Sequence, residues 1–242
     1  MTDLAAVLFD GVVYSSWLFM MAAGLTLIYG VMKILNIAHG SLYALGAYAA
    51  ASLVGAWLAG GHPPIASYAL LAAAALAVGL VTGPLLERGL LRLMYGKDEV
   101  VLLLVTYAAF LILEDAIKLI WGVESMLLPD PYSLPGNFHI GTLAYPVYNL
   151  LLIAMAILVG LTLAWALYRT RQGKVLLAVI HDREMSAAMG INVDRVYLTT
   201  FTVGSMLAAL GGALTAPMIA VSPGIGTQTY TLSSDVVLRN GA

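Results

Sequence analysis

The sequence contains no cysteine and very little charge. Without cysteine it can form no disulfide, no thiolate zinc site and no thiol nucleophile. Charged residues make up 10% of the 242 residues, and hydrophobic residues make up 61%. Soluble domains carry about 25% charged residues, and a globule of this length cannot hide so much apolar surface from water. The composition therefore predicts an integral membrane protein.

Other kinds of functional site are missing as well. The net charge is −2, and no basic cluster is dense enough to indicate a nucleic-acid partner. The histidines in predicted loops lack partners at metal-ligand spacing, so no metal or cofactor is predicted. Gly173-Lys174-Val175 lacks the upstream glycine and the Ser or Thr of a phosphate-binding loop. The chain therefore cannot hydrolyse ATP by that route, and no convergent His, Asp or Ser constellation indicates an enzyme.

Stretches without Asp, Glu, Lys or Arg predict the membrane spans. Residues 11–32 form one such stretch, and about 20 apolar residues cross a bilayer. Residues 34–86 are too long for one span, because a single helix would reach about 80 Å against a hydrocarbon core of roughly 30 Å. The run must fold back, and Gly60–Pro64 is the predicted turn.

The whole chain, residues 1–242, is thus predicted to be one transmembrane domain, an all-α polytopic bundle of about six spans. The predicted helices are 11–32, 38–59, 65–86, 100–121, 146–168 and 196–220. Small residues recur every four positions in two of them and predict close helix–helix contacts: Gly79, Gly83, Gly204, Ala208 and Gly212.

The distribution of Lys and Arg predicts the orientation. Basic residues cluster in 88–97 and in 169–195, and segment 122–145 between these clusters has none. Two spans separate the basic segments, so both lie on one side, which the positive-inside rule assigns to the cytoplasm. Segment 122–145 is then an outer loop, and its prolines and length indicate a folded loop able to contact a partner.

A polar interruption precedes the second span. Asn36, His39, Gly40 and Ser41 follow Lys33 between two apolar helices. Non-helical backbone at membrane depth needs protein or a water-filled cavity to satisfy its polar groups, so this break is a candidate part of a translocation path. The alternative is a plain cytoplasmic turn in which Asn36 caps the next helix.

Segment 169–195 is the long polar stretch on the predicted cytoplasmic side. Its middle, 182–189, favours a short helix that Gly190 and Asn192 can end. A short helix held between two spans is well placed to dock on another protein. The alternative is a solvated connector.

Three ionisable residues lie inside the fourth predicted span. Glu114 and Lys118 are spaced i, i+4 and can pair, with Asp115 beside them. The predicted orientation places them near the outer surface, which favours an interfacial ion pair over a proton relay.

Two of these segments together resemble a known family. GLTLIYGVMKILNIAHGSLYALGAY at 24–48 is similar to the amino-terminal signature of branched-chain amino acid ABC transporter permeases. GKVLLAVIHDREMSAAMGINVDRVYL at 173–198 resembles the segment with which that family contacts its ATPase subunit. The likeness covers about residues 10–226.

The resemblance implies a multi-pass subunit of the bacterial inner membrane, surrounded by lipid. It implies an importer with a second permease subunit, two ATP-hydrolysing subunits and a periplasmic substrate-binding protein. ATP would be hydrolysed on a separate subunit, and the docking role would fall to Glu184, Ala187, Ala188 and Gly190. The outer loop 122–145 would be a candidate contact for the binding protein.

The implied function is import of branched-chain or related small amino acids. The same scaffold is associated with urea, amides and aromatic acids, so the substrate stays open. A secondary carrier is the alternative within transport and would need ion-coupling residues, for which only Glu114 and Asp115 could serve; a membrane-embedded enzyme is the alternative class. Family members continue past the sixth span with apolar helices, whereas this sequence turns polar at Thr227, so a short C-terminal part is expected.

The orientation can be tested with single cysteines, because the native chain has none. In intact cells, we expect a cysteine at Asn137 to react with a membrane-impermeant thiol reagent and one at Gln172 to be shielded. Permeabilised cells, in which both should react, are the control. The reverse pattern would overturn the orientation and the cytoplasmic assignment of 169–195.

Overall fold

The computed structural model describes residues 2–123, 126, 128, 130–140 and 143–218. Nine α-helices and two antiparallel strands lie within this part of the chain. The helices are α1 (Thr2–Met32), α2 (His39–Ala59), α3 (Ser67–Gly89), α4 (Glu99–Trp121), α5 (Asp130–Ser133), α6 (Tyr148–Arg169), α7 (Arg171–His181), α8 (Arg183–Ala188) and α9 (Val193–Thr215). The strands are β1 (Asn137–Ile140) and β2 (Leu143–Pro146), paired with Asn137 opposite Pro146. Short 3-10 turns, Pro64–Ala66 and Leu91–Met94, flank α3.

Six of the described helices are long and apolar enough to cross a membrane: α1, α2, α3 with its flanking turns, α4, α6 and α9. The predicted all-α bundle of about six spans is confirmed. The observed helix boundaries differ from the predicted ones where a side-chain cap fixes the helix end. The α9 helix begins at Val193 because the Asn192 side chain accepts a hydrogen bond from the Arg195 amide at 3.0 Å. The α9 helix ends at Thr215, five residues before the predicted end at 220, and residues 219 and 220 themselves lie outside the described residues.

Helix α9 forms the centre of the bundle, and α1, α2 and α3 pack around it. Its Ser205, Ala208, Ala209 and Ala213 have no exposed surface. The peripheral helices expose most of their side chains, as a span facing lipid does; only 17% of the most apolar stretch of α6 is buried, against 61% for α9.

Glycine allows the helices around α9 to approach its backbone. A Cβ on Gly83 of α3 would lie 2.7 Å from the Cα of Thr202, and one on Gly79 would overlap Met206. On α2, Gly46 faces the backbone of Ala209 in the same way. The close helix–helix contacts predicted from the small-residue spacing are therefore confirmed.

Contacts at each end of the bundle show which connections share a side. The two basic segments lie together, since the Arg92 guanidinium contacts the Asp194 carboxylate at 2.9 Å. At the opposite end, the Tyr68 hydroxyl donates to the Pro131 carbonyl at 2.9 Å. There Phe9 also packs edge-on against the strand pair, with 4.9 Å between its ring centroid and that of Tyr145. Which end faces the cytoplasm stays a prediction.

A glycine pair on one helix tests the packing against α9. Gly46→Ala would push a methyl group into the backbone of Ala209, whereas a Cβ on Gly55 of the same helix meets nothing within 4 Å. Overpacking typically destabilises by about 1–3 kcal/mol. We expect Gly46→Ala to lower the melting temperature of the purified protein in detergent and Gly55→Ala to leave it unchanged or slightly higher. Equal melting temperatures would contradict the proposed tight α2–α9 contact.

Candidate functional site

The chain leaves the helical conformation between α1 and α2. Lys33 adopts a φ of 57°, in the left-handed region that non-glycine residues rarely enter. Its amide still donates to the Tyr29 carbonyl at 2.9 Å and closes the last turn of α1. Residues 33–38 are not helical, and α2 begins at His39. The predicted break before the second span is confirmed.

Asn36 does not cap α2 with its side chain. The cap position is Ala38, and no side chain bonds to this helix end. Instead, the His39 amide donates to the backbone carbonyl of Asn36 at 3.2 Å. The side-chain Nδ2 of Asn36 has no hydrogen-bond partner among the described residues. The capping role considered for Asn36 in the plain-turn alternative is therefore wrong.

The polar side chains of the break are buried within the bundle. Asn36, His39 and Ser41 are only 3–4% exposed. The imidazole Nε2 of His39 lies 3.0 Å from the Met21 carbonyl of α1, and its Nδ1 has no partner within the described chain. Ser41 donates to the Phe110 carbonyl of α4 at 3.3 Å. Gly40 is half-buried, and a Cβ added there would meet nothing within 4 Å. That these residues line a path stays a prediction.

Helix α4 holds the break from its other side. The Thr106 hydroxyl lies 3.1 Å from the backbone carbonyl of Leu35 and is 1% exposed. The hydroxyl can thus donate to a carbonyl of the non-helical segment, or to the Leu103 carbonyl of its own helix at 3.0 Å. Thr106 was not among the site residues predicted from the sequence. The available sign was a threonine hydroxyl directly after six aliphatic residues, 100–105.

The first half of segment 169–195 is a helix, α7, which was not predicted from the sequence. The Thr170 side chain caps α7 by accepting from the Gly173 amide at 3.0 Å. Val179 is buried, and the neighbouring Leu176 and Ile180 pack on the same apolar core, so α7 is amphipathic. A Cβ on Gly173 would lie 2.6 Å from the Cα of Leu167, so glycine permits α7 to fold back on the end of α6.

The predicted short helix within 182–189 appears as α8. Asp182 caps it by accepting from the Met185 amide at 2.9 Å. At the other end Gly190 adopts a φ of 85° and donates to the Ala187 carbonyl, while Ile191 donates to that of Ser186. This pair of bonds is a Schellman motif, which glycine favours. Asn192 does not end α8, contrary to the sequence interpretation; it caps α9 instead.

One surface of α8 is turned to solvent. Glu184, Ala187 and Ala188 are exposed, and Ser186 is buried against the bundle. Met185 and Met189 are 61% and 77% exposed. We call the exposed residues of this segment the α8 surface: Glu184, Met185, Ala187, Ala188, Met189 and Gly190. It combines small, flexible apolar and acidic side chains on a short helix fixed at both ends.

A single apolar core lies beneath both the break and the α7–α8 segment. It contains buried side chains of the break, α2, α3, α4, α7 and α9, among them Ile34, Ala38, Leu42, Leu86, Leu102, Val179, Val193, Tyr197 and Phe201. The partly buried Ile191, directly after α8, packs on this core as well. The apolar side chains of α7, and Ile191 after α8, therefore pack on the same core that supports the break.

A carboxylate near this core was not identified from the sequence. Glu87, in the last turns of α3, is only 1% exposed and accepts a hydrogen bond from the Tyr95 hydroxyl at 2.6 Å. Burial, and then the adjacent Glu87 carboxylate, raises the pKa of Tyr95 far above its usual range. The hydroxyl therefore stays protonated and able to donate. The run without charged residues ends at 86 and predicts a span that ends before Glu87. The sequence therefore gives no sign that the Glu87 side chain is buried.

The ionisable residues of α4 form the predicted pair. Lys118 Nζ lies 2.7 Å from Glu114 Oε1 and 3.7 Å from Asp115 Oδ1. The Asp115 side chain is 81% exposed. The pair lies in the last two turns of α4, near the end of the bundle where the Tyr68–Pro131 contact is found. Across the described residues, no cluster of three or more His, Asp or Glu side chains could hold a metal ion.

Comparisons with known proteins agree with this architecture. The profile of a family described as branched-chain amino acid transport system / permease component matches residues 7–234. The high-affinity branched-chain amino acid transport system permease protein BraD of Pseudomonas aeruginosa is 28% identical over 228 residues, covering 90% of this chain and 73% of BraD. The permease protein LivH of Escherichia coli, named for the same type of system, is 27% identical over 228 residues, with the same coverage. No solved structure matches the chain.

The contact between α4 and the break can be tested by removing one hydroxyl. Thr106→Val removes this donor from the Leu35 carbonyl, and loss of a hydrogen bond worth about 1 kcal/mol corresponds to roughly five-fold more frequent opening. We expect faster hydrogen exchange over residues 33–42. Thr162→Val is the matched control, because Thr162 bonds only to carbonyls of its own helix, 2.8 and 3.0 Å away. Equal exchange in both variants would show that Thr106 does not hold the break.

Proposed function

We propose a role for this chain from the premise that it belongs to the family of branched-chain amino acid transport system permease components. It is a multi-pass membrane protein and a permease subunit of an importer. In this proposal it spans the bacterial inner membrane and imports branched-chain or related small amino acids. BraD and LivH are named as permease proteins of branched-chain amino acid transport systems. A second permease subunit, ATP-hydrolysing subunits and a periplasmic substrate-binding protein complete the importer.

The observation that carries this proposal is the core shared by the break and the α7–α8 segment. Val179 of α7, Ile34 of the break and Tyr197 of α9 belong to one buried cluster. Protein interiors are close-packed and transmit displacement rather than absorb it. A partner that moves α8 would therefore act on the segment preceding α2. This arrangement is what an ATP-driven permease needs if ATP is hydrolysed on another chain.

The α8 surface is the proposed contact for the ATP-hydrolysing subunit. Ala187 and Ala188 are small enough to let the helix seat closely in a groove, and Met185 and Met189 can adapt to an apolar partner. Glu184 adds a charge in the first turn. The Asp182 cap and the Schellman turn at Gly190 hold both helix ends, so force on α8 is passed on rather than lost in local unwinding.

The break is the proposed part of the translocation path. Asn36 Nδ2 and His39 Nδ1 are buried polar atoms that lack a hydrogen-bond partner within the described chain. Such atoms are costly to bury, typically by about 1–3 kcal/mol each, unless a further group reaches them. Gly40 leaves free space beside them and Ser41 binds α4. In this proposal, Asn36, His39, Gly40 and Ser41 line the translocation path and become accessible to the solute when the bundle opens during transport.

The strand pair of β1 and β2 is the proposed contact for the binding protein. It lies at the end of the bundle opposite α8, where Phe138 and Tyr145 pack against Phe9 of α1. The Tyr145 hydroxyl also donates to Asp10 at 3.3 Å. The outer segment is thus fixed to the first span rather than tethered only by its own ends. Such support suits a surface that receives a partner.

Two substitutions on the α8 surface test the proposed contact with the ATP-hydrolysing subunit. Ala188→Trp would prevent close seating, and Gly190→Val would strain a left-handed residue by about 1–2 kcal/mol. We expect both variants to insert in the membrane but to recruit less ATPase during co-purification, and to couple hydrolysis poorly to uptake in vesicles. Ala59→Trp, at an exposed position on the other end of the bundle, is the matched control.

Two results would contradict the proposal. If Ala188→Trp and Gly190→Val recruit the ATPase and support uptake as the wild type does, α8 is a connector. If the wild-type chain transports without any ATPase, a secondary carrier would be the correct class.

A further inference from the structure

Four side chains connect α8 with the end of α3 through a line of direct contacts. The Arg183 guanidinium of α8 lies over the ring of Tyr197, 5.4 Å from its centroid. The rings of Tyr197 and Tyr95 meet edge-to-face, with centroids 5.1 Å apart and an interplanar angle of 80°. The Tyr95 hydroxyl then donates to Glu87 at 2.6 Å. The line thus crosses from α8 to α9, to the turn after α3, and to α3 itself.

Each contact in this line is favourable only in a particular relative orientation of its two groups. A cation is attracted to the face of an aromatic ring, and an edge-to-face ring pair has its own preferred geometry. A hydrogen bond to a carboxylate is short and roughly twice as strong as one between neutral groups. Tyr197 is 5% exposed and Glu87 is 1% exposed, so neither can exchange its partner for water without opening the core. Displacement of Arg183 therefore favours a correlated movement of all four side chains.

A second contact bridges the same elements but has different properties. Arg92, in the turn after α3, pairs with Asp194 in the first turn of α9. Their side chains are 53% and 49% exposed. Exposed ion pairs contribute little and are screened by salt. The aromatic line is therefore the stronger mechanical connection, and Arg92–Asp194 provides a natural comparison.

We propose that Arg183, Tyr197, Tyr95 and Glu87 form a relay of positioning residues that carries movement of α8 to the cytoplasmic ends of α9 and α3. The inference rests on the proposed function, in which the ATP-hydrolysing subunit displaces α8. Glu87 is the end of the relay because α3 is fixed to α9 further along, at Gly83 and Gly79. A shift of the Glu87 end thus moves α3 against the central helix, whose other neighbours include α2 and the break.

The test uses the complete transporter reconstituted in vesicles. Arg183→Ala removes the cation at an exposed position, and Tyr95→Phe removes only the hydroxyl that Glu87 accepts from. We expect both variants to recruit the ATPase normally, because the α8 surface is intact. Uptake per ATP hydrolysed should fall by about two- to five-fold, the factor that corresponds to a partly exposed cation–π contact.

Conservative variants separate a relay from a structural role. Arg183→Lys keeps a cation over the ring and Tyr197→Phe keeps the ring itself, so both should couple as the wild type does. Tyr197→Leu removes the ring and should resemble Arg183→Ala. Arg92→Ala breaks the exposed bridge between the same elements and should have little effect. If Tyr95→Phe proves unstable in detergent, Arg183→Ala still decides the outcome, because its side chain is at the surface.

The relay and the proposed function fail in different ways. If Ala188→Trp abolishes ATPase recruitment while Arg183→Ala and Tyr95→Phe retain wild-type uptake per ATP, the relay is wrong and the proposed contact stands. If Arg183→Ala and Arg183→Lys lose coupling equally, the cation–π contact is not the working element and the relay is also overturned. If Ala188→Trp recruits and couples normally, α8 is not the contact for the ATP-hydrolysing subunit, and the relay that rests on this contact is overturned with the proposed function.

Discussion

The bundle depends on how closely three helices approach the backbone of α9. Lipid offers no hydrophobic driving force between helices, so association relies on packing contacts, and these are strongest where side chains do not keep backbones apart. Gly46, Gly79 and Gly83 remove that obstacle on the neighbouring helices, and Gly204 and Gly212 do so on α9 itself. The central helix is consequently surrounded by backbone as well as by side chains. The break, the turn after α3 and the start of α9 take their positions from these contacts.

The same close packing makes buried polar groups informative. His39 lies beside Gly24, where a Cβ would be 2.9 Å from the imidazole Cε1, so its ring occupies space that glycine leaves open. Its Nε2 has a carbonyl partner and its Nδ1 has none within the described chain. In such a tightly packed bundle, a buried imidazole with one unbonded nitrogen costs stability. We therefore infer that His39 serves function rather than folding.

The features that follow from the preference of apolar side chains for lipid, and of polar ones for water, could be predicted from the sequence. Long runs without charge identified the spans, the Gly60–Pro64 segment identified the turn between α2 and α3, and four-residue spacing identified the α9 contacts. The α7 helix was missed because Lys174 and Arg171 gave the segment a polar character, although its apolar residues recur at helical spacing. Glu87 and Tyr95 could not have been paired, because their contact depends on a 3-10 turn that reverses the chain after α3. Only the structure shows that these two side chains are in contact.

Because cysteine is absent, methionine is the only residue through which this chain offers sulfur to oxidants. Among the methionines that the structure describes, only Met185 and Met189 are exposed, and both lie on the α8 surface. Oxidation to the sulfoxide turns a flexible apolar side chain into a polar one and is reversible by reductases. Oxidation of the described methionines would therefore begin at the surface proposed to meet the ATP-hydrolysing subunit whenever that subunit leaves it uncovered, before it reaches the membrane-embedded core.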